Sequence, residues 1–385
     1  MSSASFDAPA KKPYVLHIIN DLPYWLMHRE PIAAAAQRAG FRVSVASADN
    51  ALRDDVVERG YNFFPLPVDR FSLSSADLHL IFAIRRLLRQ EKPQIVHLFT
   101  IKSLLFGGIA LRSMDYRYRP RVIGTVAGLG RGFDLSAGKK QILVNGLKAG
   151  LGQVASAVTF ENPGDAQTYI DVGIITGSRA EVFNGAGIDL SCYQPSPLAR
   201  PDSPVVFLFA SRLLRSKGVI AFAQAAKRLK AAYGSHVRFL MAGIEALGEP
   251  DAVSAHELAA IKNDPAIEWL GAVDSTQMPS VMRQAHVFVL PTSYPEGLPR
   301  SCLEAGACGL AVIAGDVPGT RFLIKHEDDG ILLPSPDTAH VASAMERLLN
   351  PGERVRLADA LHQKIRDGGF SIEAIAGRFL ELYAT

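Results

Sequence analysis

The 385-residue sequence predicts an α/β protein with two doubly wound, Rossmann-like domains that face each other across a central cleft. Three observations predict this fold class. Short apolar, β-branched runs alternate with helical patterns, one proline-rich stretch interrupts the alternation, and the alternation then restarts. The length also exceeds the size at which a single core keeps growing. Ligands of such sheets bind at the carboxyl ends of the strands, so the cleft is the expected site.

The first half of the chain predicts a parallel sheet, because helical patterns lie between its apolar runs. Its predicted first domain spans 13–193 and follows a loose tail, 1–12, which lacks the apolar core of a signal peptide. The predicted strands are YVLHII (14–19), FRVSVAS (41–47), NFFPLPV (62–68), QIVHLF (94–99), RVIGTV (121–126), AVTFEN (157–162) and AEVFNG (180–185).

Four prolines within YQPSPLARPDSP (193–204) predict a linker, placed at 194–204, because proline resists both helix and central strand. The predicted second domain spans 205–370, and an amphipathic last segment spans 371–385. The predicted strands of this domain are VVFLFAS (205–211), HVRFLMAG (236–243), AIEWLGAV (266–273), HVFVLPT (286–292), LAVIAG (310–315) and GILLPS (330–335).

Composition excludes several classes of protein. Hydrophobic residues make up 48% and charged residues 21%, which is typical of a globular chain. No stretch reaches the roughly 18 uncharged apolar residues that a membrane span needs. The three cysteines form no Cys-x-x-Cys pair and have no histidine at metal-ligand spacing, so we expect neither a disulfide framework nor a zinc site. A reducing cytoplasm is the simplest compartment for such a chain.

The net charge of +3 is unevenly distributed. Between residues 70 and 150, nine Arg and five Lys stand against three Asp and one Glu, a net charge of +10. This excess indicates an anionic partner, which could be nucleic acid, a membrane surface or a phosphate-bearing substrate, unless the arginines are simply scattered over a solvated surface. This basic segment contains no nucleic-acid-binding module and only one tyrosine-containing basic cluster, so nucleic acid is the less favoured partner.

The most informative stretch is PTSYPEGLPRSCLEAGACG (291–309). A predicted strand ends at its start, and Glu296-Gly297 lies in a loop. A helix begins near Pro299 or Arg300 and carries Glu304 in its first turns. The free N–H groups and positive dipole of a helix N-terminus suit a diphosphate. Two carboxylates beside it can accept hydrogen bonds from sugar and ribose hydroxyls. The alternative is that the two glutamates cap the helix.

A second stretch, FASRLLRSKGV (209–219), follows the first strand of the second domain. Arg212 and Lys217 lie where that strand turns into a helix, with Arg215 as a weaker candidate. Two cations there could neutralise a leaving diphosphate, as Mg²⁺ does in other sites. The sequence contains no Asp-x-Asp pair, so we predict no metal and no other cofactor. The alternative is a pair of surface cations.

Glu296 and Glu304, Arg212 with Lys217-Gly218, and the loop NGAGID (184–189) together resemble the retaining GT-B glycosyltransferases of family 4, also called group 1. The resemblance covers essentially the whole chain. It implies that Glu304 binds the ribose hydroxyls and that Glu296 contacts the donor sugar near the reacting centre. It also implies that Arg212 and Lys217 bind the diphosphate and stabilise its developing charge.

The same resemblance implies transfer with retention by front-face attack, without a covalent enzyme intermediate, and a last helix that returns to the first domain. Donor contacts are implied for the loop residues Gly297, Leu298 and Pro299. Backbone groups near Gly243 and Gly271 are implied to contact the base. A UDP-sugar is the favoured donor on this basis, with a GDP-sugar as the alternative.

The first domain is similar to the group 1 enzymes that extend sugars linked to polyprenyl diphosphate in bacterial polysaccharide or glycan synthesis. This similarity implies that Lys102 meets the acceptor's diphosphate and that Arg29, His28 and the loop with Gly128 and Gly130 line the acceptor side. The segments that carry it are LPYWLMHREPIAAAAQRAGFRVSVAS, PQIVHLFTIKSLLFGGIALR and GTVAGLGRGF.

The similarity suggests a function for the basic segment between residues 70 and 150, which is attraction to anionic lipid headgroups. We expect a cytoplasmic enzyme held peripherally at the inner face of the bacterial cytoplasmic membrane. The cluster Arg117, Tyr118, Arg119 and Arg121 mixes cations with an interfacial aromatic and is the predicted contact.

The sequence departs from the family pattern at three places. Ala127 stands where many members carry a histidine, so His97 on a different strand is either catalytic or a core histidine. Asn20-Asp21-Leu22-Pro23 replaces a glycine pair after the first strand. Arg321-Phe322 lies where a glutamate near the donor sugar is common.

Other functions remain as alternatives. A nicotinamide-linked dehydrogenase needs Gly-x-Gly-x-x-Gly at the first strand–helix turn, and NDLPYWLMHRE has no glycine. A nucleotide-sugar 2-epimerase shares the GT-B architecture and would change a UDP-sugar without an acceptor. A non-catalytic sugar-nucleotide-binding subunit would share the fold, although the complete set of Glu296, Glu304, Arg212 and Lys217 argues against it.

Overall fold

A computed structural model describes residues 12–68, 77–133, 135–196, 204–246 and 248–385, and the structural statements below refer to these residues. Nearly all of the predicted tail, 1–12, and most of the predicted linker, 194–204, lie outside them. The described chain forms two α/β units, each built on a parallel sheet, which confirms the predicted fold class.

The first unit contains a parallel sheet with the strand order β3-β2-β1-β4-β5-β6-β7. Its strands are β1 (Tyr14–Ile18), β2 (Arg42–Ser47), β3 (Asn62–Pro65), β4 (Ile95–Phe99), β5 (Arg121–Val126), β6 (Ala157–Phe160) and β7 (Ala180–Val182). Its helices are α1 (Leu22–His28), α2 (Glu30–Arg38), α3 (Arg53–Glu58), α4 (Asp77–Glu91), α5 (Ile101–Arg112), α6 (Ala137–Ala149), α7 (Leu151–Val154) and α8 (Pro163–Asp171).

The second unit contains a parallel sheet with the strand order β10-β9-β8-β11-β12-β13. Its strands are β8 (Val205–Arg212), β9 (Val237–Ile244), β10 (Glu268–Gly271), β11 (Val287–Leu290), β12 (Ala311–Gly315) and β13 (Ile331–Leu333). The helices of this half are α9 (Val219–Tyr233), α10 (Ala255–Lys262), α11 (Met278–Met282), α12 (Arg300–Ala307), α13 (Pro318–Leu323), α14 (Thr338–Arg347), α15 (Pro351–Asp367) and α16 (Ile372–Ala384).

Both sheets reverse their strand order once, between β1 and β4 and between β8 and β11. Connections leave in opposite directions at such a point, which opens a crevice outside the carboxyl ends of the two strands. Each half of the chain therefore offers one crevice. The loops that follow β1, β4, β8 and β11 line them.

Several local predictions need correction. The predicted strand 180–185 ends at Val182, and the predicted strand 62–68 ends at Pro65. The sequence analysis also missed α1, α3, α8, α10, α13 and α15. Asn162-Pro163 and Asn350-Pro351 begin two of these helices, with asparagine as the N-cap and proline in the first turn.

Helix α16 packs on α2 of the first unit and places Phe379 and Tyr383 in its core. The Tyr383 hydroxyl lies 3.0 Å from Nε2 of His17 and 2.7 Å from Nδ1 of His97. Trp25 donates to Nδ1 of His17 at 3.1 Å, so that imidazole donates from Nε2 to Tyr383. The C-terminal helix is thus tied to β1 and β4 by buried hydrogen bonds.

The same chain of bonds continues into the sheet. Tyr383 donates to Nδ1 of His97, whose Nε2 then donates to Thr125 Oγ1 at 2.7 Å, and Thr125 contacts Thr159 Oγ1 at 2.7 Å. Burial holds the pKa of His97 well below its ordinary value and lowers the pKa of His17 to about 3. Both imidazoles are neutral at pH 7, and His97 lies in the core of the first unit.

No helix among the described residues combines the length and the apolar character that crossing a bilayer requires.

Candidate active site

The crevice of the second unit is formed where the turn after β8 meets the loop after β11. A 3₁₀ turn, Arg215–Lys217, follows β8, and Gly218 then begins α9 with a φ of 79°. A Cβ atom on Gly218 would lie 2.3 Å from the carbonyl oxygen of Pro291. Ser293 N donates to Ser216 O at 2.7 Å. The two loops are therefore in backbone contact, and glycine is needed at the turn.

The candidate cations Arg212 and Lys217 both lie in this crevice. Lys217 is only 6% exposed, and its ammonium pairs with the Glu296 carboxylate. Arg212 Nη1 lies 2.8 Å from Glu249 Oε1. Both cations also lie over the ring of Tyr294, at 5.1 Å for Lys217 and 5.7 Å for Arg212. Each cation is held in place by a carboxylate and an aromatic ring before any ligand binds.

The electrostatic setting keeps Arg212 charged. Burial acts to lower the pKa of its guanidinium, but Glu249 and Tyr294 together raise it above the ordinary value. The Arg215 side chain points to Glu257 on α10 and pairs with it, away from this cluster. Arg212 and Lys217 thus form the cationic part of the crevice.

Glu304 lies on α12, is 8% exposed, and receives a 2.7 Å hydrogen bond from Nε of Arg300. Burial raises its pKa above the ordinary value, and Arg300 and Tyr193 partly oppose this shift. Helix α12 begins after Pro299, and its N-cap makes no side-chain hydrogen bond. Glu296 bonds Lys217 and Thr292 instead, so the two glutamates do not form the helix-capping arrangement considered as the alternative.

The other predicted donor residues lie near the carboxyl ends of two strands or in the loop before α12. Gly297, Leu298 and Pro299 form the loop that leads into α12, and Leu298 is buried. Gly243 lies near the end of β9 and packs under Leu213, where a Cβ atom would lie 2.3 Å from a methyl group. Gly271 ends β10 with a φ of 72°.

The predicted acceptor residues lie in the crevice region of the first unit, but two of them are buried in ion pairs. Lys102 Nζ lies 2.8 Å from Asp77 Oδ1. Arg29 is 1% exposed, and its guanidinium donates to Glu161 and to Tyr24. Arg29 is therefore buried and does not line the surface of the crevice.

His28 lies at the end of α1, at the boundary between the two units. Its Nδ1 lies 3.4 Å from Nη1 of Arg300, and the same nitrogen of Arg300 donates to the Met27 carbonyl oxygen at 2.7 Å. Burial, with the cations Arg300 and Arg29, holds the pKa of His28 well below its ordinary value. The imidazole is therefore neutral at pH 7.

The two units meet backbone to backbone at the predicted acceptor loop. Gly128 has a φ of 121°, and a Cβ atom there would lie 2.6 Å from the amide nitrogen of Gly297. A Cβ atom on Gly297 would lie 2.5 Å from Glu161 Oε2 and 2.7 Å from Ala127 O. Gly130 N donates to Pro295 O at 3.4 Å. This contact brings the predicted acceptor loop and the predicted donor loop together.

Sequence reasoning missed Glu161, Asn162, Tyr294 and Arg300. Glu161 and Asn162 were assigned to the end of a strand, and Arg300 to the start of a helix. Asn162-Pro163 carried a helix-capping signal that could have drawn attention to this position. The contacts of Glu161 and Arg300 to the opposite unit have no local pattern that could have revealed them.

Within the described ranges, no three His, Cys, Asp or Glu side chains are grouped so that they could hold a metal ion.

Comparison with known protein families assigns both halves of the chain. The family described as glycosyl transferases group 1 matches residues 194–366, and the family described as glycosyl transferase 4-like matches residues 12–162. The chain is a group 1 glycosyltransferase of the GT-B fold. The two family matches correspond to the two sheet units described above.

Two curated relatives match the glycosyltransferase over most of their length. One, from Campylobacter jejuni, is N,N'-diacetylbacillosaminyl-diphospho-undecaprenol alpha-1,3-N-acetylgalactosaminyltransferase. It is 25% identical over 91% of this chain and 96% of its own length. The other, from Escherichia coli, is UDP-Gal:alpha-D-GlcNAc-diphosphoundecaprenol alpha-1,3-galactosyltransferase. It is 24% identical over 80% of this chain and 79% of its own length.

Solved structures show the same fold. HepE from Anabaena, in complex with UDP and glucose, superposes with a TM-score of 0.76 at 17% identity, over 97% of this chain and 99% of its own. Sucrose-phosphate synthase from Thermosynechococcus elongatus gives a TM-score of 0.79 at 19% identity, over 97% of this chain and 98% of its own.

We predict that Gly297→Ala destabilises the glycosyltransferase by about 1–3 kcal/mol, because the added methyl group would overlap Glu161 and the Ala127 carbonyl. Gly377→Ala is the matched control. It lies inside α16 with no atom within 4 Å of an added Cβ, so it should stabilise by about 0.5–1 kcal/mol. Urea unfolding measures both, and an unchanged midpoint for Gly297→Ala would contradict the close approach.

Proposed function

We propose that this glycosyltransferase moves a sugar, with retention and without a metal ion, from a nucleotide-diphosphate sugar to a sugar linked to polyprenyl diphosphate. A UDP-sugar is the favoured donor, and a GDP-sugar is the alternative. The observation that carries the proposal is the convergence of Arg212, Lys217, Glu296 and the start of α12 in one crevice. The two relatives whose names specify undecaprenyl-diphosphate-linked acceptors support the acceptor class.

The donor side supplies cations where a leaving group becomes charged. When the bond between the anomeric carbon and the diphosphate breaks, negative charge develops on the diphosphate oxygen. Arg212 and Lys217 are fixed by Glu249, Glu296 and Tyr294, so they need little reorganisation to stabilise that charge. These two cations would do the work that Mg²⁺ does in metal-dependent transferases.

Retention follows if the acceptor hydroxyl attacks from the face that the diphosphate leaves. The new carbon–oxygen bond forms as the old one breaks, and the acceptor proton passes to the departing diphosphate oxygen. Glu296 would contact the donor sugar beside this centre, and Glu304 would accept hydrogen bonds from the ribose. The ionised Glu304 carboxylate has an acceptor oxygen for each hydroxyl. Burial raises the pKa of this carboxyl, and Arg300 opposes that shift and so favours the ionised form.

The acceptor's lipid requires a membrane, and the first unit carries a surface suited to one. Helices α4, α5 and α6 pack side by side and contain eight Lys and Arg against two Asp and Glu. Phe82 is 67% exposed on α4 and Ile142 is 74% exposed on α6. Lys139 and Lys140 adjoin Ile142. Such apolar side chains among cations suit an anionic lipid surface.

This surface also extends to the end of the sheet where the crevice of the first unit opens. Helices α4 and α5 run from the carboxyl ends of the strands towards their amino ends, so their first turns lie at the end of the sheet where the crevice opens. Lys102, in the first turn of α5, pairs with Asp77 at the start of α4. Lipid bound there would bring its diphosphate towards the cleft. We therefore propose a peripheral enzyme at the inner face of the cytoplasmic membrane.

The cluster predicted from the sequence is less suited to this role. Arg119 donates to the carbonyl oxygens of Leu111, in the last turn of α5, and of Met114, just after that helix. Arg117 pairs with Asp115. These arginines satisfy groups of the protein itself. Tyr118 remains exposed. The loop follows α5, so it lies at the edge of the sheet away from the crevice.

Thermal unfolding with UDP, GDP or ADP in EDTA tests the donor site. A nucleotide at about 100 times its dissociation constant should stabilise the wild type by about 2.7 kcal/mol. Glu304→Ala should lose most of this stabilisation, because it removes the carboxylate proposed to bind the ribose. If no nucleotide raises the unfolding temperature, or if Glu304→Ala responds like the wild type, the donor site is assigned wrongly.

Sedimentation with vesicles tests the membrane surface. The wild type should bind vesicles that contain phosphatidylglycerol and not vesicles of phosphatidylcholine alone. Phe82→Ser with Ile142→Ser should bind several-fold more weakly, because both side chains are exposed and available for insertion. Val355→Ser is the control, since Val355 is 52% exposed on α15 of the other half. Equal binding by all three proteins would contradict this surface.

A further inference from the structure

Two consecutive residues of the first unit hold the carbonyl and the N–H of one peptide group of the donor loop, the group that joins Gly297 to Leu298. Asn162 Nδ2 donates to the carbonyl oxygen of Gly297 at 3.0 Å. Glu161 Oε2 accepts from the amide of Leu298 at 3.2 Å. Both residues directly follow β6, and the peptide group they bind lies one residue after Glu296. The position of the Glu296 loop is therefore defined by side chains from the opposite side of the cleft.

The Glu161 carboxylate is itself fixed. Its other oxygen, Oε1, accepts from Nη2 of Arg29, which also donates to the Tyr24 hydroxyl. Glu161 is 7% exposed and Arg29 is 1% exposed. A buried ion pair is favourable only when further hydrogen bonds satisfy its remaining lone pairs and protons. One of the bonds that satisfies Glu161 comes from the other half of the protein.

The Asn162 side chain is fixed just as firmly. Its Oδ1 accepts from the backbone N–H of Asp165 at 2.8 Å and so caps α8. Its Nδ2 also donates to Asp165 Oδ2 at 2.9 Å. These two bonds fix the positions of the amide oxygen and nitrogen of Asn162, and they turn its N–H group towards Gly297. The cap of α8 therefore orients the Asn162 amide towards the backbone of the donor loop.

We propose that Glu161 and Asn162 are positioning residues that set the Glu296–Leu298 loop in its reactive arrangement when the two halves of the enzyme are closed. This inference rests on the proposed function. We call the hydrogen bonds from Glu161 and Asn162 to the peptide group between Gly297 and Leu298 the clamp. Nucleotide binding uses the second unit, so it should survive when the clamp is broken. Sugar transfer needs Glu296 in place, so it should be lost when the clamp is broken. The clamp would thereby tie transfer to closure over the acceptor.

The clearest variant is Asn162→Ser. Serine caps helices about as well as asparagine, but its short side chain does not reach Gly297. Asn350→Ser is the matched control, because Asn350 also caps a helix, precedes a proline and binds the amide of Glu353, in α15. Glu161→Leu combined with Arg29→Met removes the other half of the clamp. Replacing both partners avoids a buried unpaired charge.

We expect the kcat of Asn162→Ser to fall by about 10- to 100-fold, since small displacements of reacting groups have effects of this size. Its dissociation constant for UDP should stay within about threefold of the wild-type value, and Asn350→Ser should match the wild type in both. The double variant should behave like Asn162→Ser. Unchanged kcat in Asn162→Ser and the double variant would overturn the inference. Equal losses in Asn162→Ser and Asn350→Ser, or a parallel loss of UDP affinity, would also overturn it.

Small-angle scattering separates this inference from the proposed function. If the wild type binds no nucleotide and transfers no sugar, the proposed function fails. The clamp can still be tested by comparing the radius of gyration of Asn162→Ser with that of Asn350→Ser. A larger radius for Asn162→Ser supports a clamp that holds the two halves together, and equal radii contradict it.

Discussion

The arrangement of the site depends on the backbone contact between Gly128 and Gly297. A side chain at either position would separate the two halves of the chain, because each Cβ atom would lie within 2.6 Å of an atom across the cleft. This contact brings the loop after β5 against the loop that carries Glu296. It allows Glu161 to reach the amide of Leu298. The walls of the cleft are thereby held in register without bulky groups between them.

The same constraint explains how buried charges are tolerated. Lys217 with Glu296 and Arg300 with Glu304 are ion pairs within the second unit. Buried pairs need further hydrogen bonds to offset desolvation, and some of these come from across the cleft. Arg300 donates to the Met27 carbonyl of the first unit. If the halves separated, this donor would need water as its partner. Closure and charge burial therefore stabilise each other.

The sequence predicted the features that depend on local pattern. Alternating strands and helices predicted both sheets. Short spacings placed Arg212 and Lys217 at the turn after one strand, and Glu296 and Glu304 in the loop and helix after another. These groups then meet because β8 and β11 are neighbours at the point where the strand order reverses. Periodicity alone did not predict α8, which is short and has one buried face. Its Asn162-Pro163 start was the available signal.

Features that depend on contacts between residues far apart in the chain could not be predicted from the sequence. The setting of His97 depends on Tyr383, which is separated from it by 286 residues. Lys102 was expected to meet the acceptor, and the structure pairs it with Asp77 of the neighbouring helix. Glu161 resembled the end of a strand, and its contact with Leu298 spans 137 residues. No local propensity encodes such a pairing, because it arises when two complete domains pack together.

The most direct test of the account is a transfer assay in EDTA. Purified enzyme would be mixed with single UDP- and GDP-sugars and with vesicles that contain a polyprenyl-diphosphate-linked sugar, and the lipid product would be analysed by mass spectrometry and NMR. The account predicts a product larger by one sugar, with the donor's anomeric configuration retained. It also predicts no product with Glu296→Ala, although that variant still binds nucleotide. Full activity of Glu296→Ala, or conversion of the donor sugar without an acceptor, would contradict it.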